Sequence, residues 1–469
     1  MIKYLTHISK IFEILSLKNK IYLILFFLSS IVIALLEVLS IGILAIYVGF
    51  LSNPDIILNK ISIDFVKDYF IDLDKNILFI KVSFIIIFLF LIKNFVIIFI
   101  NWFLLRIRQS IISANSNEIF NSILETDFKK LLSTTKSVLS YKVYDEIKRV
   151  GSFIVGYSTF LKELLIIFFL SLSLLILNKY IFFSILTIFS LISLISVNSF
   201  KGTLRKSADK MNKHSSLMLK SLLEVFDNLI LIKLSSKKKF FINKYLNHLN
   251  LQIKFTNFKS LISTLPRSIF EIIGISIVMI FVIVEIYRGT NTQNILPLIS
   301  FVALVSARMI PSYGAITHNF SLIIFNEKSF LDFYENRKKI FKVYNDIYEN
   351  TSKLNLDYED LKITLKDITY AYVQNENVLD NVNYTFEKDK IYGIVGKSGS
   401  GKSTITKVMM GLLKPLKGEV LFNKSPLNKN YRNFQDLIGY VPQNIFLIDS
   451  TIESNIAMGE NMQEINKEK

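Results

Sequence analysis

The chain has 469 residues, of which 51% are hydrophobic, and it carries a formal net charge of +17 and no cysteine. This length allows two or three domains, and a chain without cysteine excludes disulfides and thiolate metal sites. The apolar residues concentrate before about residue 326, which is typical of a membrane domain followed by a soluble one. Most basic residues lie in loops between apolar segments, where they orient membrane proteins, so we expect no nucleic-acid partner.

Residues 1–326 contain six apolar segments long enough to cross a lipid bilayer, and we expect them to form an all-α transmembrane domain. The predicted spans lie at about 21–51, 77–105, 153–177, 181–200, 266–286 and 295–325. Pro266 is expected in the first turn of the fifth span, where proline is tolerated. The loop at 52–76 is acidic, whereas the segments 106–149 and 201–259 are basic. Because positive charge stays on the cytoplasmic side, both termini are predicted to be cytoplasmic.

The ionisable residues inside the predicted spans include Glu37, Lys93, Arg267, Glu271 and Arg308. Such residues are costly in a bilayer and often functional. Arg267 and Glu271 are four residues apart and could pair on one helical face. Two hypotheses remain open: Arg267 and Arg308, with Glu37, line a substrate path that holds an anionic head group, or these residues form a structural network between helices.

The four histidines, His7, His214, His248 and His318, are scattered and form no ligand pair at helical spacing. Asp145 and Glu224 lie in the basic inner segments and are weak candidates for contacts with a soluble domain. A charged helical linker is predicted at 327–360, followed by an α/β domain at 361–469. Its predicted strands are 363–365, 368–372, 382–386, 391–395, 419–422 and 438–443, with a helix at 403–413. Residues 391–395 are expected to form a buried parallel strand.

The residues between this strand and helix satisfy the phosphate-binding spacing G-x-x-x-x-G-K-[ST]. The glycines would let backbone N–H groups point at a phosphate, assisted by the positive end of the helix. Lys402 would contact the β- and γ-phosphates, and the Ser403 hydroxyl would bind Mg²⁺. The predicted phosphate-binding residues are Gly396, Lys397, Ser398, Gly399, Ser400, Gly401, Lys402, Ser403 and Thr404.

Six spans followed by such a domain resemble a half-transporter of the ATP-binding cassette (ABC) exporter family. Tyr372 matches the family's aromatic residue that stacks on adenine, and Val441-Pro-Gln443 is similar to its glutamine loop. The resemblance implies ATP and Mg²⁺ as cofactors, with Gln443 beside Mg²⁺ and the attacking water. It also implies a multi-pass protein of the lipid bilayer that works as a homodimer or with a partner chain. The Lys-, Ile- and Asn-rich composition favours the plasma (inner) membrane of a bacterium.

Short strings in the membrane half resemble the flippases of lipid-linked oligosaccharides: Leu36-Glu37-Val38, Leu265 to Glu271, and Ala307 to Ser312. The expected cargo is therefore a lipid-linked oligosaccharide or a related envelope glycolipid. Peptides, drugs and lipid A-like molecules are the alternative cargoes.

The resemblance covers only the first half of a cassette. The family's signature motif, Walker B strand and catalytic Glu have no counterpart in the sequence, so no complete catalytic set is predicted and the assignment as an enzyme stays open. Two further hypotheses follow: a catalytically inactive truncated fragment, or a split transporter whose second chain supplies the rest of the cassette.

Overall fold

The computed structural model describes residues 2–52, 75–177, 179–288, 292–348, 361–373, 375–423, 425–427, 434–443 and 445–459. The chain forms two compact units, one of Met1–Thr126 with Thr134–Lys342 and one of Asp127–Ser133 with Val343–Lys469. Most of the predicted acidic loop, residues 349–360 of the predicted linker and the polar tail from residue 460 lie outside the described residues.

Long helices dominate the first unit. The helices of this unit, long and short, are α1 (Ile2–Ile14), α2 (Leu17–Ser52), α3 (Lys75–Leu124), α5 (Lys136–Tyr141), α6 (Ile147–Leu177), α7 (Lys179–Asp227), α8 (Leu229–Leu234), α9 (Lys238–Tyr287) and α10 (Thr292–Tyr348). A π-helical turn lies at Lys142–Glu146. The short helix α4 (Phe128–Ser133) belongs to the second unit.

Six helices in the described part of the chain are long and apolar enough to cross a membrane: α2, α3, α6, α7, α9 and α10. The predicted fold class, six exporter-type membrane helices followed by an α/β phosphate-loop domain, is confirmed. The helices are longer than the predicted spans, since α9 has 50 residues and would extend about 75 Å. A bilayer core of about 30 Å holds less than half of it, and the basic residues in 201–259 lie on the continuations of α7 and α9.

The sequence predicted that Pro266 lies in the first turn of the fifth span, and this prediction is wrong. Helix α9 begins at Lys238 and passes through Pro266. Proline lacks the N–H group that an interior helical position donates. Bilayer helices tolerate this loss when neighbouring helices satisfy the freed carbonyl. Pro266 is buried in the first unit, which fits such packing.

The buried centre of the first unit lies along α2, α6 and α10, where 33–50% of the apolar window is buried against 11–12% in α3, α7 and α9. Aromatic pairs join these helices. The Phe153 ring of α6 stacks on the Phe330 ring of α10 at 4.3 Å, and the Phe189 ring of α7 meets Tyr313 of α10 edge-on at 5.0 Å. The less buried helices present apolar surface, as helices in contact with lipid do.

The second unit contains an antiparallel sheet in the order β2-β1-β3-β4. Its elements are β1 (Lys362–Ala371), β2 (Asn377–Glu387), β3 (Lys417–Phe422) and β4 (Ser425–Pro426), with helices α11 (Lys402–Met409) and α12 (Ile452–Ile456). One face packs an apolar core that includes Leu365, Tyr370, Leu379 and Val408. The strands predicted at 363–365, 368–372, 382–386 and 419–422 all overlap this sheet, although β1 ends at Ala371.

Two predicted strands are wrong. Residues 391–395 and 438–443 carry no strand, and the side chains of Ile391, Val395 and Val441 are largely exposed. An isolated extended segment has neither ladder hydrogen bonds nor an apolar layer to pack against. In the described part of the chain no strand pairs with either segment, so their apolar sequence alone does not make them strands.

Candidate nucleotide site and membrane charge cluster

The phosphate loop turns into α11 at Gly401, which caps the helix in the left-handed region with φ of 88°. A Cβ atom there would lie 3.0 Å from Leu379 Cδ2 and 3.1 Å from the Val378 carbonyl oxygen, both on β2. Only glycine fits this combination of backbone angle and close approach without strain. The first N–H groups of a helix have no partner one full turn earlier in it, and in α11 the Thr404 N–H donates instead to the Gly401 carbonyl oxygen at 2.9 Å.

Lys402 lies over the loop. Its ammonium group donates hydrogen bonds to the carbonyl oxygens of Gly396 and Lys397, both at 2.8 Å. The positive charge is therefore held where helix N–H groups and loop glycines converge, as an anionic phosphate requires. Ser403 follows in the first turn with an exposed side chain. These groups fit the phosphates of a nucleotide, and the Ser403 hydroxyl is an oxygen ligand of the kind Mg²⁺ accepts.

Tyr372 is joined to this loop through Thr404. The two hydroxyl groups are 3.4 Å apart, and Thr404 is buried. The Tyr372 ring meets the Tyr370 ring edge-on, with centroids 5.1 Å apart, while 38% of Tyr372 remains exposed. Burial raises the pKa of the Tyr370 phenol above its ordinary value, so the phenol stays neutral well above physiological pH. A half-exposed, supported ring is suited to stacking on a nucleobase.

Helix α4 docks beside Tyr372, which the sequence did not predict. Lys129 donates a hydrogen bond to the Ala371 carbonyl oxygen at 3.2 Å, and its ammonium lies 5.5 Å from the centre of the Tyr370 ring. On the other side of α4, the Lys407 ammonium of α11 lies 5.6 Å from the centre of the Phe128 ring. Thus α4 contacts both the strand that leads to Tyr372 and the helix that carries the phosphate loop.

The two weak sequence candidates for such a contact belong to the first unit. Asp145 lies in the π-helical turn, and Glu224 of α7 pairs with Lys244 of α9 at 2.6 Å. Only a short polar break, around Asp127 after α3, distinguished the α4 segment in the sequence.

Gln443 is exposed, and in the described residues no hydrogen bond joins it to the phosphate loop. The segment after it is ordered by Asn455, whose side chain accepts from the Ile448 N–H at 2.7 Å and donates to the Ile448 carbonyl oxygen at 3.0 Å. The structure therefore brings together Tyr372 and the loop residues 396–404, and leaves the Mg²⁺ role of Gln443 a prediction.

Three of the charged membrane residues form one cluster, which we call the membrane charge cluster: Glu37, Lys93 and Arg308. The buried Glu37 carboxylate of α2 forms an ion pair with Arg308 Nε of α10 at 2.9 Å and accepts a hydrogen bond from Lys93 Nζ of α3 at 3.3 Å. Ser40 and Ser312 take further hydrogen bonds from Lys93 and Arg308. One carboxylate thus faces two cations, and the Arg308 side chain is 27% exposed against 4% for Glu37. The three side chains together carry a net positive charge, and the Arg308 side chain is the most exposed of them.

Arg267 lies elsewhere on this side of the unit. It is exposed, and its stem packs on α10 where Gly314 leaves room, since a Cβ at Gly314 would lie 3.2 Å from Arg267 Cβ. Among the described residues no ion pair joins Arg267 to Glu271. The structure therefore does not join Arg267 to the membrane charge cluster by an ion pair.

Residues 379–468 match the family model described as ABC transporter. The chain is 35% identical over 101 residues to the lacticin-481/lactococcin-DR transport/processing ATP-binding protein of Lactococcus lactis. It is 40% identical over 102 residues to an energy-coupling factor transporter ATP-binding protein of Mesomycoplasma hyopneumoniae. These matches cover 22% and 20% of this chain, and only 14% and 37% of the two relatives.

Similarity of fold extends over nearly the whole chain. A solved bacterial Atm1-family ABC exporter with ATP bound superposes with a TM-score of 0.67, covering 93% of this chain and 74% of the other at 14% identity. The chain therefore has the fold of an ABC exporter.

The Tyr372 ring is expected to contribute directly to nucleotide affinity. Replacing Tyr372 with Ala should weaken binding of a fluorescent ATP analogue by about 5- to 150-fold, the range for losing one base–aromatic stack. Tyr372→Phe keeps the ring and loses only the contact with Thr404, so it should bind within about threefold of the wild type. Equal affinity of the Ala variant and the wild type, measured by equilibrium titration, would contradict this role.

Proposed function

We propose that this chain is a subunit of an ATP-driven exporter in the inner membrane of a bacterium, with both termini in the cytoplasm. The observation that carries the proposal is the phosphate loop, with Lys402 held above it and Tyr372 beside it, in a chain with an ABC exporter fold. The basic segments between alternate spans support the orientation.

Each part of the nucleotide site has a role in this function. Bound ATP supplies the free energy of its phosphoanhydride bond. Lys402 and the first N–H groups of α11 hold the phosphates, Ser403 offers an oxygen to Mg²⁺, and Tyr372 supports the base. Because Lys129 binds the carbonyl oxygen of Ala371, the neighbour of Tyr372, a shift at the base would reach α4. Helix α4 follows α3 in the chain, which gives a covalent route to a membrane helix.

The proposed cargo is a lipid-linked oligosaccharide, joined to its lipid through an anionic phosphate or diphosphate. The membrane charge cluster supports this class, because it has a net positive charge and its most exposed member is the Arg308 guanidinium. A guanidinium binds phosphate oxygens in a bidentate manner. Peptides, drugs and lipid A-like molecules remain alternative cargoes. The lacticin-related protein is named for transport and processing, but its similarity lies in the nucleotide-binding region, which does not determine cargo.

We further propose that the chain works as a homodimer or with a partner that completes the cassette. Support comes from the second unit, where Ile391, Val395 and Val441 present largely exposed apolar side chains. Apolar surface of this kind is typical of a face that another element covers.

Transport should depend on Lys402. The assay uses liposomes that contain the purified protein and any partner chain it needs. Lys402→Met should abolish ATP-dependent outward flipping of a fluorescent diphosphate-linked glycolipid, because the Lys402 ammonium that would contact the ATP phosphates is lost. Lys390→Met is the matched control, since Lys390 is an exposed lysine that pairs with Glu387 outside the loop. Flipping that persists in the Lys402 variant would contradict ATP-driven transport. Loss of flipping in the Lys390 variant as well would point to instability.

Anionic cargo should depend on Arg308. Arg308→Gln removes the accessible cation and leaves the Glu37–Lys93 pair neutral, so flipping of the diphosphate lipid should fall about 10-fold or more. Arg288→Gln, at an exposed pair with Glu285, should behave as the wild type. ATP-analogue affinity should stay unchanged in both variants, and their melting temperatures and size-exclusion profiles should match the wild type, which shows that the membrane unit folds. Undiminished flipping by the Arg308 variant would reject the phosphate-binding role while leaving ATP dependence intact.

A further inference from the structure

A cavity of about 660 Å³ lies beside α3 in the first unit, and its lining includes no residue of the nucleotide site or of the membrane charge cluster. Helix α3 supplies every lining residue except Val143, which belongs to the π-helical turn before α6. The lining combines apolar side chains, such as Leu105 and Ile112, with one cation, Arg108. None of the described residues that line the cavity is acidic. An apolar wall with a single cation and no carboxylate is suited to an amphipathic anion.

Arg108 is held in place by α6. Its Nη2 group donates a hydrogen bond to the neutral Ser152 hydroxyl of α6 at 3.0 Å. Its Nε atom is buried without a hydrogen-bond partner among the described residues, and no described carboxylate forms an ion pair with it. The two helices approach closely at Gly151, where a Cβ atom would lie 3.6 Å from Arg108 Cγ. A half-buried guanidinium without a counter-charge is costly and is well suited to bind phosphate oxygens.

The cavity lies where α3 leaves the predicted second span. That span ends at Leu105, so Arg108 is three residues, or about 4.5 Å, farther along the helix axis. The head-group layer of a bilayer extends roughly 5–8 Å beyond the hydrocarbon on each side, which includes this level. Nearby, the Arg106 guanidinium lies 5.1 Å from the centre of the Trp102 ring, and tryptophan at the end of a span is typical of the membrane–water interface. Arg108 is therefore at the depth of phospholipid phosphates.

The polar part of the lining indicates which head group fits. Gln109, Ser113 and Asn117 follow one another at four-residue intervals and so share one face of α3. Their amide and hydroxyl groups donate and accept hydrogen bonds without carrying charge, which suits the hydroxyls of a polyol. An ammonium head group would meet Arg108 with no carboxylate in the lining to balance it. A single anionic phosphate with a hydroxylated head group therefore matches the lining better than a zwitterionic lipid does.

We propose that this cavity binds an acidic phospholipid with a hydroxyl-bearing head group, of the phosphatidylglycerol type. The Arg108 guanidinium holds the phosphate, Gln109 and Ser113 bind the head-group hydroxyls, and the acyl chains lie along α3 toward Trp102. Because Arg108 also binds Ser152 of α6, the bound lipid adds a link between α3 and α6. The lipid class is independent of the cargo and of ATP binding.

Trp102 makes the site measurable, because it is the only tryptophan of the chain, is 48% exposed and lies one helical turn from Leu105. The full chain is reconstituted in phosphatidylcholine vesicles that contain lipids with brominated acyl chains, since bromine quenches tryptophan fluorescence on contact. In the wild type, brominated phosphatidylglycerol should bind about fivefold more strongly than brominated phosphatidylethanolamine, the preference that one basic residue near an acidic lipid gives. Arg108→Gln should abolish this preference, whereas Arg108→Lys, which keeps the cation, should retain most of it.

Lys148→Gln is the matched control, because it removes an exposed cation of α6 that does not line the cavity, and it should keep the wild-type preference. Added inorganic phosphate should leave the quenching unchanged. Equal binding of the two lipids to the wild type, or a preference retained by Arg108→Gln, would overturn the proposal. Relief of the quenching by inorganic phosphate would overturn it in favour of a free anion. A changed size-exclusion profile of Arg108→Gln would overturn it in favour of a contact between two copies of the chain.

Discussion

The constraint on which this structure depends is that backbone hydrogen bonds must be satisfied inside each helix wherever the chain crosses a bilayer. Water is absent there, and an unsatisfied N–H or C=O group costs several kcal/mol. The helices also run far past the apolar segments, as α9 does from Lys238 to Tyr287, and their continuations carry many of the basic residues.

Charge inside the bilayer follows the same physics. A lone carboxylate at Glu37 would be unstable there, and two cations from separate helices stabilise it. Removing one partner of a buried pair leaves an uncompensated charge, which is strongly destabilising. With both cations in place, the cluster links α2, α3 and α10 through one carboxylate.

Local sequence patterns predicted what depends on local physics. The apolar lengths predicted the membrane helices, and the glycine spacing predicted a loop in which Gly401 takes a left-handed conformation against β2. Sequence patterns gave wrong or missing predictions where contact with a distant segment of the chain decides the structure. Residues 391–395 are as apolar as a buried strand but lack a pairing strand among the described residues. The contact of α4 with Ala371 joins residues 242 positions apart, so no local sequence pattern predicts it. The contact between His214 and His248 likewise forms only through tertiary packing.

The central claim is that the loop at 396–404 binds ATP through Lys402, with Mg²⁺ on Ser403. Equilibrium binding of ATP to the purified full chain, measured by calorimetry with and without Mg²⁺, tests it most directly. We predict that Mg²⁺ tightens binding to the wild type, that Ser403→Ala loses this Mg²⁺ effect but still binds ATP, and that Lys402→Ala binds at least tenfold more weakly under both conditions. Binding to the wild type that is undetectable, or that is unchanged in the Lys402 variant, would contradict the account.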